Sequence, residues 1–135
     1  MIKAAEIIEQ DLFVEIKQSD LGKAINGAVY RDEMRPDNSQ KEDCIVKFVS
    51  GLDGQIQRGI LVLNVYVPDI KIKSGKMVVN KTRIAELENL IISFVEQCTS
   101  TEYLYSLDAT PISLAETDIQ QHFIYARIAY RRITV

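Results

Sequence analysis

The sequence predicts an α+β fold: an antiparallel sheet of about four to five strands with two helices packed on one face. Three observations point there. Two stretches, near residues 2–18 and 82–98, repeat their apolar residues at helical spacing. The remaining segments alternate like strands, and their turns are short enough for hairpins, which make neighbouring strands antiparallel. The longest strand, QRGILVLNVYVPD at 57–69, is apolar on both sides. Leu61, Leu63, Val65 and Val67 lie on one side and Ile60, Val62 and Tyr66 on the other, with one polar break at Asn64. A sheet with water on its far face does not normally carry this much apolar surface.

The 135 residues fit one domain, 1–135, with a projecting basic arm at about 69–80. A domain of this size buries roughly two-thirds of its unfolded surface, so it needs no disulfide or metal to hold together. The apolar share of 47% excludes a disordered chain.

In the first helix, Ile2, Ala5, Ile8, Leu12 and Ile16 fall near one stripe. Gly22 ends the pattern, and alternation around Ala28–Arg31 suits a short strand at about 27–34. Pro36, Asp37, Asn38 and Ser39 mark a loop. Cys44–Val49 and Ile56–Val67 form a hairpin, with Gly51, Asp53 and Gly54 supplying a turn that asks for positive φ. In DIKIKSGKMVVN, Ile70 and Ile72 alternate with Lys71 and Lys73 until Ser74-Gly75 interrupts, which reads as the long arm or a second small hairpin. Asn80 or Thr82 can cap the second helix, whose apolar side carries Ile84, Leu87, Ile91, Phe94, Val95 and Cys98. Two strands close the chain, at about 103–115 with a break at Pro111, and at about 120–133. AETD joins them as a hairpin connection.

Two helices cover one face of such a sheet. Another copy of the chain is the simplest cover for the other. The competing cover is a fold-back of the 69–80 segment or of the N-terminal residues.

Chemistry-bearing patterns are sparse. Cys44 and Cys98 are far apart and read as two reduced, packed thiols. His122 reads as a packing or surface residue. Ser74-Gly75-Lys76 lacks the upstream glycines of a phosphate loop. Asp108 and Glu116 flank a strand region as solvated groups. No CxxC, HExxH or nucleophile elbow occurs. The sequence therefore predicts no enzyme, no cofactor and no metal site. The least favoured reading is a small enzyme built around His122 and Arg127.

The net charge of −3 argues against a general nucleic-acid binder. It leaves room for local basic surface. Lys71, Lys73, Lys76, Lys81 and Arg83 form a block with no acid between Asp69 and Glu86, and Arg127, Arg131 and Arg132 form a second cluster. A basic arm of this kind suits an acidic surface on a neighbouring subunit. The start, MIKAAEIIEQ, has an acid by position 6 and reads as no signal peptide. No apolar run approaches the roughly 20 residues of a membrane span.

The order of these elements resembles the tail-completion, or tail-terminator, proteins of long-tailed bacteriophages, found at the head–tail junction. The resemblance is carried by GAVYRDEMRP after the first helix, by a long apolar strand ending in VYVPD, by the helix NKTRIAELENLIISFVEQ and by the closing strand HFIYARIAYRRI. It covers about residues 2–134 and is one of element order and hydrophobic pattern. It implies an α+β subunit that assembles into a ring, commonly a hexamer, at the head-proximal end of the tail tube. Its partners would be itself, tail-tube and head-completion proteins, with DNA only as passing cargo and no membrane. Its place would be the virion, or the bacterial cytoplasm during assembly. The candidate assembly interface is Leu61, Leu63, Val65, Lys71, Lys73, Lys76, Arg127 and Arg131. The alternative is a small dimeric α+β ligand-binding or regulatory domain.

Overall fold

A computed structural model describes residues 1–134 of the chain. Helix α1 (Ala5–Gln18) buries Ile8, Leu12 and Ile16, one residue per turn, along a single stripe. At its end Ser19 caps a short helix α2 (Asp20–Ala24) by accepting the Gly22 N–H at 3.3 Å. Strand β1 (Val29–Arg31) follows, then β2 (Cys44–Leu52) and β3 (Ile56–Pro68). A two-residue pair, β4 (Ile70–Lys71) and β5 (Met77–Val78), forms a separate small sheet in the arm. Helix α3 (Lys81–Gln97) is capped by Asn80, whose side chain accepts the Arg83 N–H at 3.2 Å. Strands β6 (Tyr103–Leu107), β7 (Ile112–Glu116) and β8 (Gln121–Ile133) complete the chain.

The fold is α+β, as predicted, but three helices pack on it where two were expected, because the five-residue α2 is too short to show a helical period, and the main sheet is mixed and has six strands. Its order is β1-β2-β3-β8-β6, and β7 also pairs with β8. The predicted 103–115 strand divides at Pro111 into β6 and β7. Both lie along the outer edge of β8, β6 against residues 128–132 and β7 against 121–125. Every pairing in the main sheet is antiparallel except β1 with β2. That exception has a physical cause. The twelve residues after Arg31 return to the start of the sheet instead of turning back, so β2 runs beside β1 in the same direction.

The β2–β3 turn also departs from expectation, because neither Gly51 nor Gly54 takes a positive φ. Among the described glycines Gly75 alone does, at φ 88°, in the tight turn of the arm. The Ser74-Gly75-Lys76 triplet is therefore a hairpin turn.

All the helices contribute to one apolar core on one side of the sheet. There α1, α2 and α3 pack Ile8, Leu12, Ile16, Leu21, Leu87 and Ile91 over Leu61, Leu63, Val65, Ile124, Ala126 and Ile128, which are fully buried. Burial of this apolar surface is the main favourable term holding the layers together. The N-terminal residues join this side too, through a hydrogen bond from the Lys3 N–H to Gln57 Oε1 at 3.2 Å.

Candidate functional site

Among the described residues no α-helix packs on the opposite face of the sheet. Strand register orders it into rungs. At one end Leu52, Arg58, Arg131 and Leu104 stand side by side across β2, β3, β8 and β6. Next come Ser50, Ile60, Ala129 and Ser106, then Lys47, Val62 and Arg127. Tyr30, Ile45, Asn64, Tyr125 and Ile112 form the fourth rung, and Tyr66, Phe123 and Leu114 the fifth. The apolar groups are open to solvent at the β6 and β7 edge, where Leu104 is 64%, Ile112 50% and Leu114 42% exposed. Val62 is 4% exposed yet lies outside the helix-packed core. Its direct cross-strand neighbours are Lys47 and Arg127, long side chains of the kind that shield an apolar neighbour with their aliphatic stems. Asn64 Oδ1 is buried on this face and lacks a hydrogen-bond partner among the described residues.

The aromatic end of the face is closed by the β1–β2 loop. Arg35 stacks its guanidinium 4.0 Å from the Tyr66 ring centre. It donates to Asp43 Oδ2 at 2.9 Å and to Gln121 Oε1 at 2.9 Å. Gln121 in turn donates to Ser39 O at 2.8 Å, and Asp43 accepts the Ala28 N–H at 2.9 Å and the Ser39 hydroxyl. Burial alone would push the Asp43 carboxyl up, but the donors from Ser39, Ala28 and Arg35 outweigh it and hold the pKa below its ordinary value. A fold-back over the face thus exists, but it comes from this loop. Neither the 69–80 arm nor the N-terminus supplies it.

The arm is rooted at Asp69, which bonds His122 Nδ1 at 2.7 Å and donates its N–H to Gln120 O at 3.1 Å. Beyond that root, residues 70–76 are exposed and Lys71, Lys73 and Lys76 stand in solvent. His122 is a tether for the arm, in keeping with the packing role read from sequence.

The structure separates the sequence-predicted interface residues. Leu61, Leu63 and Val65 are fully buried beneath the helices and cannot form an assembly surface. Strand alternation gives that position to Ile60, Val62 and Tyr66. Arg127 and Arg131 do lie on the open face, and Arg127 pairs with Asp108 at 3.0 Å, so Asp108 is not merely solvated. The two basic clusters are also divided. Arg132 points to the covered side and binds Glu102 at 2.8 Å. Arg83 leaves the lysine block to bind Glu42 at 2.7 Å and to donate to Ala24 O at 2.7 Å.

Sequence reading missed Lys47, Arg58, Ile45, Ile112 and Leu114 as members of the open face. Alternation places each on one side of its own strand. Only the cross-strand register shows that these sides coincide.

The thiols differ in setting. Cys44 is fully buried on the covered face, and burial pushes its pKa up to about 12, with the Asp43 charge adding to it. Cys98 is half-buried at the end of α3, in a cleft of roughly 340 Å³ between α1, α2 and α3. Glu15, Ser19, Asp20 and Ser93 share that cleft. No group of three or more His, Cys, Asp or Glu side chains that could hold a metal ion occurs among the described residues. No described helix is long and apolar enough to cross a membrane. No protein-family model matches the chain, and no curated protein matches its sequence.

Proposed function

We propose that the chain is a structural subunit of a phage or prophage tail or neck. It forms a ring at the head-proximal end of the tail tube, ends tail growth there and joins the tail to the head. The reading rests on the resemblance in element order and on one structural observation. The six-stranded sheet has a second apolar face that no described helix covers, with Leu104, Ile112 and Leu114 open to solvent. Apolar patches of this kind mark protein–protein contact in soluble domains. A heterologous contact repeated around a closed ring covers such a face on every subunit and leaves none exposed. Tail-tube and head-completion proteins are the further partners, with DNA passing through the ring as cargo.

The basic arm has its own part. Lys71, Lys73 and Lys76 reach out from a root fixed by Asp69 and His122 and meet an acidic neighbour or the tail tube.

Light-scattering mass across a concentration series tests ring formation, with a hexamer expected. A mass that stops at two copies supports the alternative, a small dimeric ligand-binding or regulatory domain. Joining to purified tails tests the arm. The Lys71→Glu/Lys73→Glu/Lys76→Glu variant should melt like the parent and join tails poorly. If it joins tails as well as the parent does, the lysines are only a solvated surface.

A further inference from the structure

The open sheet face is basic as well as apolar. Arg58 and Arg131 share one of its rungs and Lys47 and Arg127 another. Against these four cations stand Asp108, paired with Arg127, and Glu116 at the β7 end beside Gln121. Two such faces brought together would oppose cation to cation, which disfavours a face-to-face pair of copies. The occupant this face fits is apolar with an acidic border.

The outer side of the helix layer has that character. Helix α1 carries Glu6 and Glu15 outside the core against a single Lys17, with Glu6 bridged to Arg31 at 2.9 Å, while Asp11 is turned to Lys3 and the Tyr103 hydroxyl. It also exposes Ile7 and Val14, two turns apart and so on one side of the helix. Both cations of α3, Lys81 and Arg83, sit in its first turn, and Arg83 is already paired with Glu42 and Glu86. Beyond the paired Glu86, α3 adds Glu88 and Glu96. The sizes agree. Five strand positions span about 20 Å and thirteen-residue strands about 40 Å. Helices of 14 and 17 residues are about 21 and 25 Å long. A stable interface needs about 800 Å² from each partner, about the product of the sheet face's two spans.

We infer that the open sheet face docks on the acidic outer side of helices α1 and α3 of a second copy. The contact is heterologous, so each chain offers a sheet face to one neighbour and a helix layer to the other. This deepens the ring proposal and rests on its self-association.

Two charge-reversed variants test it, followed by light-scattering mass and by mixing. The sheet variant is Lys47→Glu/Arg58→Glu/Arg131→Glu. The helix variant is Glu6→Lys/Glu86→Lys/Glu96→Lys. Each alone should lose self-association by more than tenfold at moderate salt, with a parent-like circular dichroism spectrum. Mixed one to one they should recover it, because each acidic sheet face then meets a basic helix layer and the reverse. If either triple variant loses its fold, the matching set with Gln in place of the reversed charges is used, and each should weaken association alone. A parent chain that stays monomeric overturns the self-association reading and this contact with it. A parent that associates while the helix variant associates equally well overturns the contact alone. If the sheet variant pairs with the parent and the helix variant behaves as the parent does, the copies meet face to face.

Discussion

Leu63 and Val62 are neighbours on β3, and both are nearly inaccessible to water, at 0% and 4% exposure. What covers them differs. Helices lie over Leu63, in a packed core that also holds Leu87 and Ile91. The stems of Lys47 and Arg127, its cross-strand neighbours, lie beside Val62. A helix cannot leave its place without breaking the core, whereas a lysine stem changes rotamer in nanoseconds or less. The same strand therefore has one face closed by the helix-packed core and another flanked by mobile side chains of its own sheet, the face on which the proposed contact rests. A buried residue in one chain can still belong to an assembly surface.

The largest test of this contrast is on the covered face. Leu87→Ala should cost about 2–5 kcal/mol in urea denaturation, the range for opening a cavity in a packed core. A loss under about 1 kcal/mol would mean the helices do not define the closed face. Arg35→Ala comes next, because it leaves Asp43 ionised, buried and without its cation. It should cost about 3 kcal/mol and loosen the β1–β2 loop over Tyr66, read as faster hydrogen exchange at residues 32–43. Retained protection there would show that Ser39 and Gln121 hold the loop without Arg35.

The same cluster gives a pH dependence. The folded Asp43 carboxyl has a pKa below its unfolded value of about 4. It therefore contributes stability above about pH 4, and that stability is lost as pH falls through the lower, folded pKa. Denaturation midpoints from pH 5 to pH 2.5 should fall more steeply for the parent than for Asp43→Asn. Parallel curves would assign the acid sensitivity to other groups.

Smaller effects belong to the open face. Leu114→Ala should change subunit stability by less than about 0.5 kcal/mol while weakening self-association, since its side chain is exposed in the isolated chain. A large stability loss would mean that β7 belongs to the core. The smallest perturbation is thiol labelling at pH 8. One thiol per chain, Cys98, should react, because Cys44 is enclosed and its thiolate suppressed. Labelling of both in the native protein would show that the covered face opens readily.

The sequence by itself determined most of the elements, though not the five-residue α2. Apolar spacing placed α1 and α3 to within about three residues, and Asn80 was legible beside Thr82 as a candidate cap, because such a side chain acts on the backbone three residues away. Alternation gave the two sides of β3 and β8, since successive strand residues must point oppositely. The need for a second cover was also legible, from apolar residues on both sides of one strand. Only the tertiary structure decided which side each set served. Leu61, Leu63 and Val65 differ from Ile60, Val62 and Tyr66 by a one-residue shift in register and hardly at all in chemistry, so local pattern cannot rank them. The parallel β1–β2 pair, the loop that Arg35 fastens over Tyr66, and the gathering of Lys47, Arg58, Arg127 and Arg131 on one face all depend on contacts between residues far apart in the chain. Periodicity reports the geometry of one element at a time, and these features come into being only when the elements meet.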